Sequence, residues 1–269
     1  MTLTSDEAKF VEFLKSFNQF YWPSYKIAEN SKGVSILPMG EGENEFKMYA
    51  LDEICHSCSI FKEGGVWFTL KTTDAIWYKK ENDIFFIFLI EFKGDFLCRT
   101  SSKCMLVNVV DSLKNKDINN EFEREISSLD KIVLKYSDKM LNGLAAKPLE
   151  TVTIALPLIY EEYYEKNDVE YLDIRKFLSN SRIIYRVVSI SDKYEPNRQR
   201  TRARSYRCSN MIPSVCKKLA REKHDSEIAS SYESSLQTYH RRYERSGIVY
   251  SAGFIDNVAF NNFIENYLK

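Results

Sequence analysis

Sixteen residues separate an acid, Asp74, from the triplet Glu91-Phe92-Lys93, and that triplet ends an uninterrupted apolar run, Ile84 to Ile90. A run this apolar reads as a strand covered on both faces, so the polar residues at its end either reach the surface or line a site. Side chains alternate along a strand, which puts Glu91 and Lys93 on one face. If residues 80–83 form a four-residue hairpin loop, the strand 72–79 runs antiparallel to the apolar one. Asp74 then falls opposite Leu89, on that same face and diagonal to Glu91. The placement depends on register, because a loop one residue longer would turn Asp74 to the other face. Two carboxylates and an ammonium at the edge of a sheet suit hydrolysis of a phosphodiester. Hard oxygen ligands hold Mg²⁺ or Mn²⁺, which neutralises phosphate charge and acidifies a bound water, while the lysine orients that water or stabilises developing charge.

The acid-any-lysine spacing alone carries little, since Glu7-Ala8-Lys9 and Glu45-Phe46-Lys47 repeat it on expected surface helices, where a solvated face explains it. Its place at the end of an apolar strand supplies the specificity. A glycosidase using Asp74 and Glu91 as acid and nucleophile is the weaker reading, because a lysine beside them suits phosphate better.

The elements that must position these residues follow from periodicity. Phe10, Val11, Phe13, Leu14 and Phe17 predict a helix over 5–20 with Ser5 as N-cap. A second helix is expected over 44–58, then three antiparallel strands, 66–71, 72–79 and the apolar run. Leu129, Ile132, Val133, Tyr136, Met140 and Leu144 predict a helix over 121–146, closed by Pro148. A buried strand is expected over 151–158, a helix over 170–180 and a strand over 182–189. Helices over 213–245 and 254–268 finish the chain. The order gives an α/β, or α+β, fold: one mixed sheet flanked by helices. The expected division is residues 1–190 as one domain with its core at 44–158, and residues 191–269 as a basic loop and C-terminal helices packed on it.

Asp74, the sixteen-residue gap and Glu91-Phe92-Lys93, set on the second and third strands of a helix, three strands, helix, strand core, resemble the PD-(D/E)XK nuclease superfamily. The resemblance covers residues 44–158 and implies a restriction-endonuclease-like fold. It implies that Asp74 and Glu91 ligate Mg²⁺ or Mn²⁺ and that Lys93 is the catalytic lysine of an endonuclease. Thr73 stands where the name-giving proline would. Some members add a glutamate from the helix before the first strand, for which Glu53 is the candidate. Others use polar residues of the helix after the motif; Lys131, Lys135 and Asp138 share a face there, and Lys135 is the candidate for contacting nucleic acid.

Thirty-eight basic and thirty-eight acidic residues balance to zero, so any nucleic-acid surface must be local. The stretch 193–207 supplies one: Arg198, Arg200, Arg202 and Arg204 alternate, and an extended segment would present them as a row along a phosphate backbone, with Tyr206 available to stack on a base. A solvated loop is the competing account. The expected partners are nucleic acid, DNA before RNA, and a second copy of the chain as a homodimer. No membrane partner is expected, since the longest apolar run is seven residues and the first residues lack a signal pattern; a cytoplasmic location follows. Six cysteines in 269 residues are expected as reduced thiols, and Cys55-His56-Ser57-Cys58 lacks the second close pair a structural zinc site needs. The alternative to a nuclease is a catalytically inactive module on the same fold that binds nucleic acid or protein.

Overall fold

The computed structural model describes residues 2–29, 33, 35–37, 46–62, 70–93, 143–189 and 238–268. The chain divides into two compact units, residues 1–94, 145–194 and 237–269 forming one and residues 95–144 and 195–236 the other. The first has an α+β fold. Its sheet has six strands, β1 (Tyr21–Pro23), β2 (Lys47–Ala50), β3 (Ala75–Glu81), β4 (Ile84–Lys93), β5 (Arg182–Ser189) and β6 (Ser251–Asp256), adjacent in that order. The ladders from β1 to β4 are antiparallel; β4, β5 and β6 run parallel.

Helices cover both faces. α1 (Ser5–Lys15) buries Phe10, Val11, Phe13 and Leu14. Its N-cap is Thr4 rather than Ser5, because Thr4 and Glu7 form a reciprocal capping box in which each side chain accepts the other's backbone N–H. α2 (Ser24–Ile27) is one turn, and α3 (Leu51–Ser57) follows β2 directly. α4 runs through residues 143–166, α5 is Ile174–Asn180, α6 is residues 238–245, and α7 (Asn257–Phe263) continues into a π-helical turn, Ile264–Leu268. Leu89, Ile87, Phe85, Ile76, Tyr185 and Val187 face a core shared with α1, α3, α4 and α5. Phe88, Ile90, Phe92, Ile184 and Val188 face a second core closed by Ala28, Ile36, Leu37, Phe260 and Ile264. An apolar strand such as β4 is thus covered on both faces, as its composition requires.

Several elements differ from the sequence reading. Residues 47–50 of the expected helix 44–58 are a strand: Met48, Tyr49 and Ala50 are all buried, and a short apolar run covered on both sides carries no period that separates strand from helix. β2 takes the place beside β3 expected for residues 66–71, of which 66–69 lie outside the described residues and Leu70 and Lys71 belong to no strand. Residues 151–158 are helical, not a strand. α4 passes through Pro148, then widens into a π-helical turn at Thr151–Ala155 before its last segment, Leu156–Lys166. The cause lies at Pro157, which has no N–H for the carbonyl four residues before it; Arg175 Nη1 donates to that carbonyl, on Thr153, at 3.2 Å. Residues 251–256 form β6 where a helix from 254 was expected.

The hairpin is tighter than expected. Only Asn82 and Asp83 form the turn, with φ of 48° and 59°, the left-handed pair of a two-residue hairpin that Asn and Asp tolerate best after glycine. Lys80 stays in β3, where its ammonium meets Glu7 at 2.7 Å in a buried pair that ties α1 to the sheet. The ladder consequently pairs Ala75 with Ile90. Asp74, one step beyond, faces Glu91 directly instead of lying opposite Leu89. The slip is two residues, so the face is unchanged.

Candidate active site

Asp74 sits at the junction of three elements. Its carbonyl accepts the N–H of Leu51 at 2.9 Å, which brings the first turn of α3 to the site. Its Oδ2 accepts the N–H of Phe92 at 2.6 Å, so the carboxylate ends the β3–β4 ladder in place of a backbone acceptor. The residues before it are extended and held from the side. Lys71 N–H donates to Glu150 Oε2 at 2.7 Å, Thr73 N–H donates to Thr151 Oγ1 at 3.1 Å, and the Thr72 hydroxyl donates to Asp52. Glu150 and Thr151 follow Lys147 at i+3 and i+4, which places all three on one face of α4.

Glu91 has no solvent exposure. Two ammonium groups divide its carboxylate: Lys93 Nζ lies 2.5 Å from Oε1 and Lys147 Nζ 2.7 Å from Oε2. Lys147 Nζ also reaches Asp74 Oδ1 at 3.3 Å, so one cationic group bridges the two carboxylates. Both contacts to Glu91 are ion pairs between a buried carboxylate and an ammonium, so the carboxylate is held chiefly by charge. Burial raises the pKa of Glu91 to about 7, with Asp74 adding to the rise and Lys93 and Lys147 opposing it. Burial alone would lower that of Lys147, but Glu91, Asp74 and Asp52 outweigh it and hold the ammonium charged. Asp52 is itself raised by burial, Asp74 adding and Lys147 opposing. Tyr185, fully buried on the same face of the neighbouring strand, is raised by burial and by Glu91 and Asp74.

Asp74, Glu91 and Lys93 are therefore brought together on one face. Glu53 is exposed, and the acid of α3 that faces the cluster is its neighbour Asp52, because Leu51, Ile54 and Cys55 set the buried side of that helix. Lys135, Arg198, Arg200, Arg202 and Arg204 lie outside the described residues, as do Lys131, Asp138 and Tyr206. The sequence reading missed Lys147, Asp52, Glu150 and Thr151. The signal for three of them is the spacing 147, 150, 151, concealed because Pro148 reads as the end of a helix.

Among the described residues no three Asp, Glu, His or Cys side chains converge as a ready-made metal site. Asp74 and Glu91 are two hard oxygen donors whose inner oxygens already share a cation, a donor chemistry that fits Mg²⁺ or Mn²⁺. Cys55 and Cys58 are buried free thiols; burial pushes both up, Cys58 to about 11, so neither is a ready thiolate. No helix among the described residues is long and apolar enough to cross a membrane. No protein-family model, curated protein or solved structure matches the chain, so the geometry of the site itself carries the functional reading.

Proposed function

We propose that the chain is a metal-dependent nuclease that hydrolyses phosphodiester bonds, in DNA before RNA, with Asp74, Glu91 and Lys93 as its working residues. The observation that carries this is the bridging of Asp74 and Glu91 by one cationic group, with a second ammonium, Lys93, at the outer oxygen of Glu91. Asp74 and Glu91 would hold Mg²⁺ or Mn²⁺, which supplies charge neutralisation and an acidified water when bound. The Phe92 N–H fixes the Asp74 carboxylate, and the backbone of β4 fixes Glu91. Lys93 keeps 28% of its side chain exposed, at the open edge, where an ammonium can orient an attacking water or stabilise charge developing on a phosphoryl oxygen. Antiparallel β2-β3-β4, with α3 inserted between β2 and β3, followed by α4 and a parallel β5, supports a restriction-endonuclease-like fold, the one the motif resemblance implies. Stability does not call for the cluster, since a buried ion group replaced by apolar side chains of similar volume is often neutral or stabilising.

Single-turnover cleavage of mixed single- and double-stranded DNA beside a Mn²⁺ titration tests the proposal. Asp74→Asn and Glu91→Gln each remove an anionic oxygen and should lose both metal binding and cleavage. Lys93→Ala removes no ligand; metal binding should survive or tighten while cleavage falls by orders of magnitude. Full activity in Lys93→Ala, or no metal response in the wild type, would leave the second reading, an inactive module that binds nucleic acid or protein. One observation favours that reading: the cation between the carboxylates belongs to the chain itself.

A further inference from the structure

We infer that Lys147 is the resident cation of this site and that a divalent ion binds Asp74 and Glu91 only by displacing its ammonium, so that Lys147 sets the metal affinity. The inference rests on the metal-site reading above. The two lysines are not equivalent. Among the described residues Lys93 pairs with Glu91 Oε1 alone, from the rim, whereas Lys147 reaches in from α4 and spans Glu91 Oε2 and Asp74 Oδ1 at 2.7 and 3.3 Å. Asp74 and Glu91 are also the two carboxylates that would hold the metal ion. An ammonium and a divalent cation cannot share them, because they would compete for the same lone pairs and repel one another at contact distance. Lys147 is held by a long hydrogen bond, to Asp74 Oδ1 at 3.3 Å, and by its ion pair with the fully buried Glu91, contacts that rest mainly on charge and can be exchanged for a stronger one.

The ammonium has somewhere to go. Asp52, held by the Thr72 hydroxyl on the first turn of α3, lies within electrostatic reach of Lys147. A lysine swings on four methylenes. Displacement therefore exchanges partners among three carboxylates instead of stranding a buried charge. Lys147 is a positioning residue in this account: it acts on the reaction through the ligands it holds and vacates.

Calorimetric titration of the full chain with MnCl₂, and with MgCl₂ as a second probe, tests this with three variants. Lys147→Met and Lys147→Gln both remove the competing charge, glutamine retaining hydrogen-bonding ability should methionine fail to fold. Each should bind Mn²⁺ at least about tenfold more tightly than wild type, the direction expected when a like charge leaves contact distance. Their metal-free melting temperatures should fall and be restored by Mn²⁺. Lys147→Arg keeps the charge and should stay within about threefold of wild type. A merely structural Lys147 predicts the opposite, since its loss would loosen the ligands and weaken binding. Neutral variants that bind Mn²⁺ no better than wild type overturn the inference while leaving the nuclease reading intact. No Mn²⁺ response in any variant or in the wild type overturns both.

Discussion

Glu91 is entirely buried near the end of β4, after the apolar run Ile84 to Ile90, and a carboxylate there survives only with charge partners around it. Lys93 and Lys147 provide them. His240 is the contrasting case: it is 2% exposed, packs edge-on to Tyr185 at 5.5 Å, and neither ring nitrogen has a hydrogen-bond partner among the described residues. Burial depresses its pKa from 6.5 to about 4, Glu244 opposing and Arg186 adding to the fall. Below pH 6.5 the unfolded chain takes up a proton that the folded chain refuses. The contribution of this group is therefore complete above the unfolded value and is lost as pH falls towards 4. His240→Phe should remove that loss, as much as about 3 kcal/mol of the acid-side decline at roughly 1.4 kcal/mol per unit. Urea unfolding of both proteins at pH 7 and pH 4.5 checks it; an unchanged difference between the two pH values assigns the decline to other groups.

At the scale of elements, α4 positions the site more than any other helix. One face carries Lys147 onto the carboxylates and Glu150 and Thr151 onto the extended segment that leads into Asp74. Thr151 is fully buried, and so is the Thr73 N–H that its hydroxyl oxygen accepts. Thr151→Val keeps the shape and removes the acceptor, leaving a buried donor unpaired at a cost of about 1–3 kcal/mol. Stability should fall by that amount, and Mn²⁺ affinity with it as Asp74 loses its support, while Thr151→Ser should restore both. Thermal unfolding and metal titration of the two variants read the effect. Retained metal affinity in a destabilised Thr151→Val would separate the segment's stability from the placement of Asp74.

On the whole molecule, balanced charge leaves nucleic-acid affinity to local features, and the arginine row 198–204 is the one the sequence offers. Replacing Arg198, Arg200, Arg202 and Arg204 with alanine should lower the log-log dependence of DNA affinity on salt by as many as about four units of slope, near 0.9 for each phosphate no longer neutralised. Fluorescence anisotropy across a salt series measures it, and a slope equal to wild type removes the row from the interface. The described residues place the site between a sheet and its helices, where α3, α4 and the β3–β4 hairpin meet.

Legibility followed from how local each determinant was. Alternation along 84–93 was enough to place Glu91 and Lys93 on one face, and the β-branched run 182–189 was enough to mark β5, because strand period and steric preference are written in adjacent residues. Asp74 reached that face despite a misjudged turn, since a two-residue slip preserves parity. β2 was hidden because burial on both sides erases periodicity, and α4 was hidden because two prolines and a β-branched run argue locally against a helix that Arg175 and the surrounding core stabilise. The cation between the carboxylates was beyond any local pattern. Lys147 lies fifty-six residues from Glu91 and ninety-five from Asp52 in the sequence. Only packing α4 and α3 on the same end of the sheet makes a lysine and three acids one electrostatic group, because Coulomb energy depends on separation in space and not along the chain.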